Sequence, residues 1–99
     1  MTITMVNRRK GGKPEDMVGI WKKMNPIWLK YGAQNVHVDR EFFGPDTGQW
    51  THVVVCKDWE TFGKMVQDVQ NDSEFRACVG QLDAMSEQLS RRVLVNVEI

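Results

Sequence analysis

Asn35 to Val55 reads NVHVDREFFGPDTGQWTHVVV, and how this stretch pairs decides the fold. Polar and apolar residues alternate from Asn35 to Phe43 and again from Gln49 to Lys57, the period of two that a half-buried strand requires. Between them GPDTG (Gly44 to Gly48) has glycine at both ends and Pro45 at the second turn position, the composition of a tight reversal. The stretch is therefore read as an antiparallel hairpin. It also holds both histidines of the chain, His37 and His52, so its register determines whether they share a face. With Phe43 opposite Gln49 and no bulge, Arg40 faces His52, Phe42 faces Trp50, Val38 faces Val54, and the histidines lie on opposite faces. One bulge instead sets His52 opposite Asp39 and gathers His37, Asp39, His52, Trp50 and Cys56 on one face. Alternation alone leaves both registers open.

Upstream of the hairpin, Thr2 to Arg8 mixes β-branched and apolar residues and predicts a strand. The loop KGGKPED follows, with Pro14 suited to a first helical turn and Glu15 and Asp16 favourable at its positive end. From Asp16 to Gly32 the residues Met17, Ile20, Trp21, Met24, Ile27, Trp28 and Tyr31 recur at helical spacing, and Gly32 is the expected C-terminal cap. Pro26 interrupts the pattern without shifting its phase, which predicts one helix kinked near Lys22 to Asn25. Downstream, Asp58 is the expected N-cap of a helix bearing Trp59, Phe62, Met65, Val66 and Val69. That helix fails at QNDS. Another starts at Ser73 and carries Phe75, Cys78, Val79, Leu82, Met85 and Leu89 to Ser90, before RRVLVNVEI closes the chain as a strand.

The order strand, helix, strand, strand, interrupted helix, strand predicts an α+β fold. It is a ferredoxin-like βαββαβ arrangement with a split second helix and a four-stranded antiparallel sheet, one domain over residues 1–99. Both helical layers then cover one sheet face. VVVC and VLVNV are apolar on both sides of their strands, unusual for a sheet with one solvated face. A second copy of the sheet is the expected cover, which predicts a homodimer with two sheets face to face.

Lysine plus arginine and aspartate plus glutamate both number 13, and the basic residues are scattered, so no nucleic-acid surface is expected. No stretch has the apolar core of a signal peptide or the roughly 20 apolar residues that span a bilayer. A soluble, cytoplasmic chain without a membrane partner is the expectation, with Cys56 and Cys78 reduced and buried.

The hairpin and the KDWETFGKMVQDVQNDSEF stretch after it resemble the dimeric α+β barrel superfamily and, within it, the NIPSNAP-like proteins. The residues carrying the resemblance are Gly32–Ala33 before the second strand, Gly44 and Gly48 in the hairpin, Trp59 with Phe62, and Asp72 with Phe75. The resemblance implies fold and dimer. The superfamily also includes cofactor-independent monooxygenases acting on quinols, and haem-degrading enzymes of similar fold. Asn7 matches the haem-degrading type in position, but Val69 and Val79 stand where its Trp and its iron-ligating His belong. Haem is therefore not expected, and no other cofactor is.

Within this frame the ligand-binding candidates are Met24, Trp28, Trp50 and Trp59, expected around a small apolar or aromatic molecule between sheet and helices. The catalytic candidates are Asn7, His37 and His52, which in a monooxygenase reading hold the anion of an electron-rich, quinol-like aromatic for attack on dioxygen. His37 is preferred, because its side chain points away from Val36 and Val38 toward the dimer cleft. His52 is read as a structural hairpin residue. His37, His52 and Asp39 have the right chemistry for a metal but no ligand spacing, and no metal is expected.

Overall fold

The computed structural model describes residues 1–99. Strand β1 (Ile3–Lys10) leads into helix α1 (Pro14–Lys30), then β2 (Asn35–Arg40), β3 (Trp50–Cys56), α2 (Trp59–Gln70), α3 (Ser73–Met85) and β4 (Glu87–Val95). The strands form one antiparallel sheet in the order β2-β3-β1-β4. This is the ferredoxin-like arrangement with a split second helix, as the element order predicts.

Local chemistry sets the helix ends. Pro14 opens α1 with Glu15 and Asp16 in the first turn. Its far end closes at Gly32, whose φ of 125° is one that residues with a side chain rarely adopt. The N–H of Gly32 donates to the Leu29 carbonyl and that of Ala33 to the Trp28 carbonyl, the paired bonds of a Schellman cap. A single helix runs through Pro26, where proline can give no hydrogen to the Lys22 carbonyl. Asp58 caps α2 by accepting from the Thr61 N–H, and Asp72 caps α3 by accepting from that of Phe75. Asp72 also accepts from the Tyr31 hydroxyl at 2.9 Å, tying the end of α1 to the start of α3.

The third helix is shorter and the last strand longer than helical periodicity predicts. Helix α3 ends at Met85, and Ser86 turns extended while its hydroxyl donates to the Leu82 carbonyl. Strand β4 starts at Glu87, opposite Lys10. Leu89, expected on the helical stripe, is passed over between the pairs Arg8 to Ser90 and Arg9 to Gln88, and so forms a β-bulge. Pairing with a waiting strand has overridden a local helical pattern.

The hairpin register is neither of the two anticipated. Val36 pairs with Val54, Val38 with His52 and Arg40 with Trp50, a slip of two residues from the bulge-free expectation. The slip is even, so faces are conserved and the histidines remain on opposite sides. Its cause lies in the loop. Glu41 still exchanges backbone bonds with Gln49 and Gly48, its carboxylate accepts from the Asp46 N–H, and the Thr47 hydroxyl donates to the Gly44 carbonyl. Phe42 and Phe43 are therefore in the loop, exposed, not in the strand.

Alternate residues of β1 and β3, namely Ile3, Met5, Asn7 and Arg9 with Trp50, His52, Val54 and Cys56, are buried on the face that the helices cover. Met17, Ile20, Trp21, Met24, Ile27 and Trp28 of α1 complete this core with Met65, Val69, Phe75, Cys78 and Leu82. Cys56 and Cys78 are buried and unbonded to one another. The other sheet face carries Val6, Val53 and Val55, half-buried, and Leu94, exposed. No helix is long and apolar enough to cross a membrane.

Candidate functional site

On the helix-covered face the inward positions of β1 change from apolar to polar along the strand: Ile3 and Met5, then Asn7 and Arg9. Asn7 lies between His52 of β3 and Arg91 of β4. Above them α1, α2 and α3 stand far enough from the sheet to leave a cavity of about 330 Å³. This is near the lower end of the range for small-molecule sites and suits a one- or two-ring molecule. Met5, Trp21, Met24, Trp28 and Phe75 provide its apolar wall.

His52 is 4% exposed. Its ring stacks on Trp21, with centroids 6.0 Å apart and planes 9° apart, and lies 6.4 Å from Trp28. Its Nε2 is 3.0 Å from Asn25 Oδ1. The amide oxygen can only accept, so Nε2 carries the hydrogen and Nδ1 is left as an acceptor. Burial, then the positive charge of Arg9, with His37 and Arg91 adding to it, lowers the His52 pKa from 6.5 to about 4. The imidazole is thus neutral at neutral pH and a weak base.

The polar groups around it differ in how fully they are paired. Arg91 Nε donates to Asn7 Oδ1 at 2.7 Å, which fixes the guanidinium against β1. Arg9 is bound through both Nη atoms, to Asp83 at 2.8 Å and to the Ser86 hydroxyl at 3.2 Å. Trp28 sits edge to face on Phe75 at 4.9 Å. Its indole Nε1 is buried and has no acceptor, an uncommon state for an indole N–H, which when buried usually finds a partner.

Of the residues expected at a site, Asn7, His52, Met24 and Trp28 come together around this cavity. Trp50 is buried behind it, donating to the Gly11 carbonyl at 3.1 Å and covered by Arg40 at 5.0 Å. Trp59 is 49% exposed and packs edge-on against Phe62, away from the cavity. His37 is on the opposite sheet face, half-exposed, with Nε2 3.5 Å from Asp39 Oδ2. The set of His37, Asp39, His52, Trp50 and Cys56 does not assemble, because the only slip in the hairpin is even and the bulge falls in β4. Val69 and Val79 both border the cavity and offer alkyl groups, so the wall there supplies no ligand for haem iron.

Arg9, Asn25 and Arg91 are site residues that pattern reading passed over. For Arg9 a signal existed, since strict alternation from Ile3 puts it on the same inward stripe as Asn7. Asn25 and Arg91 gave none, because their positions depend on how α1 and β4 meet the sheet.

A four-stranded βαββαβ sheet with its split second helix is the fold shared by NIPSNAP proteins and antibiotic-biosynthesis-type monooxygenases. The chain is similar in structure to SnoaB, a cofactor-independent oxygenase from Streptomyces nogalater. The TM-score is 0.78 over 99% of this chain and 95% of that one, at 16% identity. It is also similar to a NIPSNAP family protein from Agrobacterium tumefaciens, with TM-score 0.73 over 97% and 87% of the two chains at 12% identity. An uncharacterised NIPSNAP domain protein from Burkholderia xenovorans gives TM-score 0.73 over 98% and 95% at 13% identity. At such identities the likeness is one of fold. No family model and no curated protein matches the sequence.

Proposed function

We propose that this chain binds a small apolar or aromatic molecule in the cavity between its sheet and helices, and that it does so as a homodimer. The cavity of about 330 Å³, with Trp21, Trp28 and Phe75 in its wall, carries the ligand reading. An aromatic ring seated there would bury its apolar surface and stack on these side chains. The test is titration of the protein with one- and two-ring aromatics, followed by calorimetry. Saturable binding that weakens in Trp28→Phe is expected, and no saturable binding to any of them would sink the reading.

The dimer rests on Val6, Val53, Val55 and Leu94, an apolar set on the sheet face that no helix covers. Light scattering at micromolar concentration should return about twice the chain mass; a monodisperse monomer refutes it.

A second reading, oxygenation of an electron-rich, quinol-like aromatic without a cofactor, is favoured by one observation. Asn7 and the neutral His52 are cross-strand neighbours on the cavity wall, a hydrogen-bonding pair beside a space for an aromatic ring. Against it stands the weakness of His52 as a base, since a pKa near 4 gives little driving force for taking a phenolic proton at neutral pH. Dioxygen uptake with quinols, compared with and without protein, separates the two. Binding without uptake supports the first reading.

A further inference from the structure

Resting on the cavity as a ligand site, we propose that its ligand is an aromatic carboxylate, with the ring against Trp28 and Phe75 and the carboxylate held by Arg91. Three arginines border the cavity, Arg9, Arg76 and Arg91, and no aspartate or glutamate does. Their charges are not equally available. Arg9 is ion-paired with Asp83 outside the cavity wall, and each of its Nη atoms already donates one hydrogen, to Asp83 and to Ser86. Arg76 and Arg91 are both exposed, but Arg76 already donates from its Nη1 to the Gln70 carbonyl. Arg91 is in no ion pair, and its one hydrogen bond runs from Nε to the neutral Asn7.

That bond leaves both Nη atoms free and holds the guanidinium in place from the side. A planar fork with its orientation already set matches a carboxylate through two parallel bonds, and fixing it beforehand reduces the ordering cost of binding. Asn7 is thus a positioning residue for Arg91. The cavity therefore presents positive charge beside aromatic walls, with no acidic side chain in its lining. A neutral ring could fill the volume, but it would leave the fork unmatched.

Calorimetric titration with 2-naphthoate and with its neutral isostere 2-naphthamide at pH 7.5 tests this, in the wild type and in Arg91→Gln. Naphthoate should bind about tenfold or more tightly than the amide, the usual strength of a charge-assisted pair. Arg91→Gln should remove that preference, and a far-ultraviolet circular dichroism spectrum matching the wild type verifies that the variant keeps its fold. Equal binding of the two probes by the wild type, or a preference that survives in Arg91→Gln, overturns the carboxylate assignment and leaves the cavity reading standing. Failure of both probes to bind overturns the cavity reading and this assignment with it.

Discussion

Trp21→Ala is expected to lower unfolding stability by about 3–5 kcal/mol, the usual cost of removing a fully buried large aromatic from a core that relaxes only partly. Trp21 is 3% exposed and is one of the side chains through which α1 meets β3. Its ring lies 5.2 Å from that of Trp50 and is stacked on His52. Removing it therefore leaves a void against two neighbours held elsewhere, Trp50 by the Gly11 carbonyl and His52 by Asn25. Neither can fold inward to fill the space. Denaturant titration followed by far-ultraviolet circular dichroism measures the loss. Trp59→Ala is the control: with its ring half in solvent, it should cost less than about 1.5 kcal/mol. If the two variants proved equally stable, the packing described for the α1 face would be wrong.

The second large effect is a pH dependence carried by His52. In the unfolded chain its imidazole takes up a proton near pH 6.5, whereas in the folded protein it does so only near pH 4. Between these values the unfolded state binds more protons, so stability falls as pH falls through this window. Above about pH 6.5 the full stability is present, and below about pH 4 the loss is complete, amounting to about 3 kcal/mol. The capping carboxylates Asp58 and Asp72, held below their ordinary range first by backbone N–H bonds from Thr61 and Phe75, act at lower pH. They lose their contribution only below the usual carboxylate range, so the two effects separate. Denaturant titrations at pH 7.5, 5.5 and 4.5 should show the decline, and His52→Gln should flatten it. A wild-type curve without slope from pH 6.5 to 4.5 would falsify the burial of a neutral His52.

This behaviour also bears on the ligand. Arg9 and Arg91 help to keep His52 neutral, so an anion placed against Arg91 would partly cancel their field. A bound carboxylate should then raise the His52 pKa, and its affinity should improve slightly as pH falls toward 6. A neutral ligand would show no such linkage.

Some of this was legible from the chain alone, and the reason is periodicity. The stripe Met17, Ile20, Trp21, Met24, Ile27, Trp28 and Tyr31 needs only the 3.6-residue turn of a helix, and all but Tyr31, at the helix end, are buried. The element order, the Asp58 cap and the Gly32 terminus follow from residues acting within a few positions of themselves. The opposite faces of His37 and His52 survive even a mistaken register, because a slip of two residues preserves the parity of a strand. What each face meets is not local. His37 lies on the uncovered face, as its place between Val36 and Val38 predicts, but that His52 borders a cavity on the other face depends on how the helices pack over it.

Sequence alone determined the helices, the strands, the antiparallel hairpin and the apolar stripe that forms the core, since each depends on near-neighbour spacing. Only the tertiary structure decided the hairpin register, the start of β4 at Glu87, and the meeting of Asn7, His52 and Arg91. The register is set by side-chain bonds inside the Glu41 to Gln49 loop, and β4 by its pairing to β1 rather than by its own helical pattern. The site joins residues from three strands and three helices, with Asn7 and Arg91 in contact although 84 positions apart. Such contacts arise from packing between distant segments, which periodicity, a local property, does not encode.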